Sequence, residues 1–155
     1  DYALNDIENI LDKEISKEIK AETLYDQWVN DMAEVCKTFC ILENTVSVSF
    51  QLGTQRGCRR YHVDNVPKRM LVTYAGKETE WLPDEAVDRN AFLTGKPNEK
   101  IIKDYSALRY INQWDVAVFR GGPKGVLHRT PDAALNSSSV LMKLDHPSYL
   151  EICNS

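Results

Sequence analysis

Three side chains of types that bind metals fall within a short segment: Cys58, His62 and Asp64. In an extended strand, alternate side chains point to the same face, so these three positions would lie together, with Arg60 between them. A second imidazole, His128, follows much later in the chain on a short apolar segment. Two imidazoles and one carboxylate form the facial triad that suits Fe(II) and leaves one side of the metal open. We therefore predict a mononuclear metal site at His62, Asp64 and His128.

The thiol of Cys58 leaves a second ligand set open. A thiolate, two imidazoles and a carboxylate would suit tetrahedral Zn²⁺. Cys58 and Asp64, however, are about 20 Å apart in a fully extended strand, so both reach one ion only if the chain bends. We expect Cys58 to lie beside the site, as a neighbour of the ligands or as a structural residue.

The order of the motifs resembles the core of Fe(II)/2-oxoglutarate-dependent oxygenases. The motifs are His62-x-Asp64, Glu80-Trp81-Leu82-Pro83, Trp114-Asp115-Val116-Ala117-Val118-Phe119 and His128-Arg129-Thr130-Pro131. Over about residues 45–146, the chain is more closely similar to a mostly bacterial family catalogued only as a domain of unknown function. The resemblance implies a cupin-like fold with a metal site, Fe(II) as the cofactor and 2-oxoglutarate as a candidate co-substrate. It does not imply a particular substrate.

The resemblance also implies a cation that would hold the co-substrate. Oxygenases of this class place an Arg or Lys on the last strand, where it forms charge-assisted hydrogen bonds with the distal carboxylate of 2-oxoglutarate. In this chain the segment where that cation is expected begins with Ser137-Ser138-Ser139. Lys143, on the same predicted strand, and Arg69, on the strand after the first motif, are the two candidates for this role.

Further polar and aromatic residues near the motifs could contact a substrate or support the ligands. Arg129 could bind a substrate carboxylate or form an ion pair with a nearby aspartate. Trp81 and Tyr74 could line a pocket or belong to the core. Glu80 could act as an acid or base if it faced the site, but we expect it to be exposed to solvent.

The remaining sequence predicts the scaffold that positions these residues. Apolar residues at helical spacing predict one helix within residues 1–20 and a second from about Thr23 to Phe39. From residue 45, alternating patterns and turn residues predict seven or eight short strands, and the polar stretch 88–104 predicts a loop. We expect a mainly β double-stranded β-helix (a cupin-like jelly roll) with two N-terminal helices packed on it. The predicted organisation is one domain over 1–155, with a helical part at 1–42 and a barrel core at 45–146.

The amino-acid composition and net charge indicate which classes of molecule the protein could bind. The sequence is 43% hydrophobic and 27% charged, as in ordinary globular proteins. A net charge of −4 argues against a nucleic-acid partner, and no apolar run predicts a membrane span or a leader. Four cysteines without the spacing of a disulfide framework favour reduced thiols and a cytoplasmic location. We expect a small-molecule or peptide substrate and, through an exposed strand edge, a homodimer.

Overall fold

The computed structural model describes residues 2–54 and 56–149. The chain divides into two compact units, with the boundary between Val48 and Ser49. Cys153 lies outside the described residues.

The first unit is helical. Its helices are α1 (Tyr2–Glu14), α2 (Lys17–Lys20) and α3 (Tyr25–Glu43). The region predicted as one helix over 1–20 is therefore two helices, separated at Ser16, which has an extended backbone. In α3, apolar residues at three- and four-residue steps, among them Met32 and Phe39, are fully buried. This helix ends at Asn44, whose left-handed backbone (φ 50°) is typical of a C-terminal cap.

The second unit contains two antiparallel sheets. Its strands are β1 (Ser49–Gly53), β2 (Lys68–Ala75), β3 (Glu80–Leu82), β4 (Arg109–Tyr110), β5 (Val116–Arg120), β6 (Leu127–Arg129) and β7 (Val140–Asp145). The four-stranded sheet has the order β1-β7-β2-β5, and the three-stranded sheet has the order β4-β3-β6. Most of the predicted strands are present, with bounds shifted by a few residues.

The fold is mixed rather than mainly β, because 39% of the described residues are helical and 24% lie in strands. The prediction of a loop at 88–104 was wrong, since it contains α4 (Arg89–Leu93) and α5 (Asn98–Ile101). These helices are too short to show a helical period in the sequence. The Asp88 side chain caps α4 by accepting a hydrogen bond from the Ala91 amide at 2.9 Å.

Strand register gives each sheet one face that is relevant to the predicted site. In the three-stranded sheet, Trp81 pairs with His128, so both side chains point to the face that we call the site face. The neighbouring pair Leu82 and Leu127 points to the other face, which packs into an apolar core. That core is formed by Tyr61, Leu82, Ala86, Val87, Ala91, Ile101, Ile102 and Leu127.

The four-stranded sheet also presents a set of aligned residues to the site. Arg69 pairs with Phe119 on one side and with Asp145 on the other. Lys143 pairs with Leu71, two positions along the same strands. Because residues two apart share a face, Arg69, Phe119, Asp145 and Lys143 all point the same way.

Candidate metal site

The segment that carries the first two ligands is not a regular strand. The chain bends at Arg59 and Arg60, and His62 forms an isolated bridge with His128. Each of these histidines donates its amide N–H to the carbonyl of the other at 3.1 Å. The structure therefore places the two imidazoles side by side through a single backbone pair, where we had predicted a strand over the whole segment.

The three predicted ligands lie together. One ligand atom from each of His62, Asp64 and His128 lies within 4.8 Å of the others. Nε2 of His128 is 3.6 Å from Oδ2 of Asp64, and the two imidazole centroids are 4.3 Å apart. Asp64 and His128 are buried, whereas His62 is half-buried, so one side of the cluster is open.

Both imidazoles are oriented by a backbone carbonyl. Nδ1 of His62 is 3.0 Å from the carbonyl of Arg60, and Nδ1 of His128 is 3.0 Å from that of Val126. A carbonyl only accepts, so Nδ1 carries the proton and the lone pair of a neutral ring lies on Nε2, as in many metal-binding histidines. Burial lowers the pKa of His128, although the Asp64 carboxylate opposes this effect. The neutral, metal-binding form of His128 is therefore favoured.

Asp64 provides the strongest sign that the cluster fits a cation. Its Oδ1 accepts a hydrogen bond from Nη1 of Arg69 at 2.5 Å. Its Oδ2 is buried and has no hydrogen-bond partner in the described part of the chain. A buried carboxylate oxygen that lacks a partner is costly, and a metal ion in front of it would remove that cost. The residues present therefore fit a metal.

Arg69 links the ligands to the four-stranded sheet. Its Nε and Nη2 donate to the two carboxylate oxygens of Asp145 at 2.8 and 2.7 Å. Together with the bond to Asp64, this arrangement uses all three guanidinium nitrogens. Arg69 thus holds the Asp64 carboxylate in place, and its single positive charge is shared by the carboxylates of Asp64 and Asp145.

Two glycines fix the backbone around Asp64. The Gly122 amide donates to the Asp64 carbonyl at 2.8 Å, and the Gly121 amide donates to the Pro67 carbonyl at 3.0 Å. A Cβ atom on Gly121 would lie 2.0 Å from the Val66 carbonyl oxygen and 2.4 Å from that of Asp64. Only glycine therefore allows this close approach. The glycine pair at the end of β5 is the sequence signal that could have located this contact.

A cleft of about 500 Å³ is lined in part by residues that contact His128. Phe119, one of its walls, stacks on the His128 ring with centroids 4.5 Å apart, and Val126, another, supplies the carbonyl that orients His128. The cleft is lined by Trp81, Tyr110, Ile111, Asp115, Val116, Ala117, Val118, Phe119 and Val126. Trp81 is thus a lining residue as well as the strand partner of His128.

Glu80 is buried, so the expectation that it is exposed was wrong. Its carboxylate accepts hydrogen bonds from the hydroxyls of Tyr61 and Tyr110 and from Nε of Arg129, the last at 2.6 Å. Burial raises the pKa of Glu80, but the bonds from Arg129 and Tyr61 outweigh it and hold the pKa below its ordinary value. Glu80 and Arg129 pair on the face of the three-stranded sheet opposite His128. Their role is to anchor that sheet.

The other predicted residues lie around the cluster. Cys58 is exposed, and its carbonyl accepts a hydrogen bond from the Thr130 amide at 2.8 Å. Tyr74 is buried and packs edge-on against Trp114, with centroids 4.9 Å apart. Lys143 lies on the strand beside Arg69, on the face that points to the site.

The fold and these residues define a mixed α/β protein with a candidate mononuclear metal site, where residues from two antiparallel sheets meet. Residues 3–145 match the family described as "Protein of unknown function (DUF1826)", and the chain belongs to this family. The resemblance to a family of unknown function is thereby confirmed. No curated protein and no solved structure matches the chain. None of the described helices is long and apolar enough to cross a bilayer.

Proposed function

We propose that this chain is a mononuclear non-haem Fe(II) oxygenase, with His62, Asp64 and His128 as the metal ligands. The observation that carries the proposal is the convergence of two oriented imidazoles on the buried, unpartnered Oδ2 of Asp64. Fe(II) bound by two imidazoles and one carboxylate keeps open positions for substrate and oxygen, and supplies the redox chemistry of this class.

The surrounding residues have distinct roles in this proposal. Arg69 orients the Asp64 carboxylate, and the carbonyls of Arg60 and Val126 hold the imidazoles with Nε2 toward the metal position. Phe119 covers one face of His128 and limits the access of water. The adjoining cleft, which is largely apolar and aromatic, would receive a small molecule or a peptide side chain as the substrate.

We also propose that the two sheets are a reduced form of the cupin-like core. In support, residues of both sheets meet around the candidate ligands: His128 lies on β6 of the three-stranded sheet, and Arg69 and Phe119 of the four-stranded sheet contact Asp64 and His128. The candidate co-substrate is 2-oxoglutarate. Of the two cations predicted to hold it, Arg69 is already paired with Asp145 and Asp64, whereas Lys143 lies on the same face of the sheet, two residues further along.

Zinc binding without redox chemistry is the alternative function. The same donors suit Zn²⁺, and the predicted closed site would need a fourth protein ligand such as Cys58. The exposed Cys58 is not part of the cluster of metal-binding groups. This arrangement favours an open, reactive site over a closed structural one. A third alternative is a metal-free module that binds a small ligand or a protein partner. The buried Oδ2 of Asp64, which has no hydrogen-bond partner among the described residues, argues against it.

The test is metal binding followed by turnover. Metal-free protein is titrated with Fe(II) under anaerobic conditions and, separately, with Zn²⁺, and each complex is assayed for oxygen-dependent conversion of 2-oxoglutarate to succinate. We expect one equivalent of metal and turnover with Fe(II) only. Binding of Fe(II) without any oxygen consumption would exclude the oxygenase, and a failure to bind either metal would exclude the site itself.

A further inference from the structure

Strand β5 lies at an edge of the four-stranded sheet. Among the described strands it pairs only with β2. Hydrogen bonds in an antiparallel pair join alternate residues, and the bond of 3.0 Å from the Gly121 amide to the Pro67 carbonyl fixes which residues face β2. Counted back from Gly121 in steps of two, Val116 and Val118 fall between the bonded positions. Their backbone N–H and C=O groups therefore point away from β2, and we call these groups the outward edge.

The outward edge is accessible to a further strand. Arg120 belongs to the same alternating set, and its carbonyl accepts a hydrogen bond from the Val126 amide at 2.9 Å, on the side away from β2. No described residue bonds to the backbone of Val116 or Val118 on that side, and the two residues are 46% and 45% exposed. They offer N–H donors and carbonyl acceptors at strand spacing, which is the pattern that an extended peptide backbone complements.

The cleft that includes Phe119 runs along this edge. Five consecutive residues of the chain, 115–119, line it. A cleft over one face of a strand would be lined by alternate residues, because successive side chains point to opposite faces. Lining by consecutive residues therefore places the cleft beside the backbone edge of β5. Its other wall is formed by residues on or next to the strands of the three-stranded sheet, namely Trp81, Tyr110, Ile111 and Val126.

The second wall selects a single chain as the occupant. One added strand would lie about 4.8 Å from β5, within a cleft of about 500 Å³. A second copy of the protein that joined this edge would bring further strands at the same spacing, and the wall that includes Trp81 and Tyr110 stands across the cleft from β5. An extended peptide meets the same hydrogen-bonding groups without that obstruction.

The two ends of the cleft differ in chemistry. Phe119 stacks on the His128 ring, so the peptide residue opposite Phe119 directs its side chain to the face on which His128 lies. Asp115, four residues away and about 13 Å along the strand, is the one charged residue among those that line the cleft. It is exposed, and its carboxylate favours a cationic side chain at that end.

We propose that the outward edge of β5 binds an extended peptide as an added strand, with a Lys or Arg near Asp115 and the reacting side chain beside Phe119. The assignment of a reacting side chain rests on the proposed function of the metal site. Binding of the peptide itself depends only on the edge and the cleft.

The probe is a pool of fluorescent seven-residue peptides with Lys at the second or sixth position and random β-branched and aromatic residues elsewhere. A second pool has Glu in place of Lys. The tightest binders are measured by fluorescence anisotropy on metal-free protein. We expect the Lys peptides to bind more tightly than the Glu peptides, and Asp115→Asn to remove that difference.

Val118→Pro tests the outward edge directly. Proline removes an N–H that points away from β2, a position at which edge strands tolerate it, so the pairing with β2 is kept. We expect the affinity for the Lys peptides to fall at least about tenfold, because the variant loses a hydrogen bond and the proline ring obstructs the added strand. Val118→Thr is the matched control, since it keeps the amide and the β-branched shape, and it should bind like the unmodified protein.

A modified peptide tests the same contact without any protein variant. Methylation of the backbone nitrogens at one set of alternate positions should abolish binding, whereas methylation at the other set should not. Equal effects of the two sets, no binding of any Lys peptide, or undiminished binding by Val118→Pro would each overturn the inference. So would a dimer in sedimentation that Val118→Pro dissociates, since a second copy would then occupy the edge. A parallel Fe(II) titration without peptide reports on the proposed function separately, because the anisotropy measurement contains no metal.

Discussion

His62 and His128 are joined by two reciprocal backbone hydrogen bonds of 3.1 Å, and their rings lie 4.3 Å apart. This single bridge brings together two residues that are far apart in the sequence. A shift of one residue in the pairing would turn one imidazole to the opposite face. The backbone pair therefore fixes the two candidate ligands relative to each other.

Loss of one imidazole should abolish tight metal binding. We expect His128→Ala to lower the affinity for Fe(II) and Zn²⁺ by more than about 100-fold, beyond the range for residues that only support a ligand. The matched control is His146→Ala, since His146 lies outside the cluster, is only half-buried, and its Nδ1 contacts Ser148 at a turn. A competition titration with a chromophoric chelator measures both variants. Equal metal affinities of the two variants would exclude His128 as a ligand.

A methyl group at Gly121 should disturb the site through the backbone. Because a Cβ there would meet the carbonyl oxygens of Val66 and Asp64, Gly121→Ala must displace the segment that carries Asp64. We expect a loss of about 3 kcal/mol in the free energy of unfolding and weaker metal binding. Gly57→Ala is the control, because a Cβ at Gly57 would meet nothing within 4 Å. Denaturant unfolding and metal titration of both variants test this prediction.

The grouping of His62, Asp64 and His128 could be predicted from the sequence because imidazole and carboxylate types are informative wherever they occur. The path of the chain that brings these residues together could not be predicted in the same way. Alternation predicted a strand from Cys58 to Asp64, but a local bend and the single pair of His62 with His128 replace it. Alternation is a local pattern, whereas the partner of each residue depends on the whole fold.

The sequence also did not predict that the charged carboxylate of Glu80 is buried. Glu80 was expected at the surface, yet Tyr61, Tyr110 and Arg129 together supply enough donors to keep its charge inside the protein. All three partners lie at least 19 residues from Glu80 in the sequence, so no local pattern indicates them.

Asp145 should support both stability and metal affinity. Asp64, Arg69 and Asp145 together carry one net negative charge, which favours a bound cation, and Asp145→Asn makes this group neutral. We expect about tenfold weaker metal binding, typical of residues that support a ligand. We also expect a loss of about 3 kcal/mol of stability, because Arg69 loses a charged partner in a mostly buried pair.

The control for Asp145→Asn is Asp132→Asn, which removes a carboxylate from an ion pair with Arg59 in which both side chains are exposed. Exposed pairs contribute about 0–1 kcal/mol, so this variant should unfold almost like the unmodified protein. Metal titration and denaturant unfolding are measured on both. A similar small effect in the two variants would show that Asp145 does not support the site.

The buried Glu80 carboxylate should make stability depend on pH in the acid range. Its pKa in the folded protein lies below the ordinary value of 4.5, so ionised Glu80 contributes stability that is fully present above about pH 4.5. That contribution is lost as the pH falls through the lower, folded-state pKa. Glu80→Gln, which leaves Arg129 without its charged partner, should cost about 3 kcal/mol at pH 7. The difference from the unmodified protein should shrink as the pH drops below 4.5, and denaturant unfolding at pH 7, 5, 4 and 3 measures it. A difference that stays constant over this range would mean that the charge of Glu80 contributes nothing to the fold.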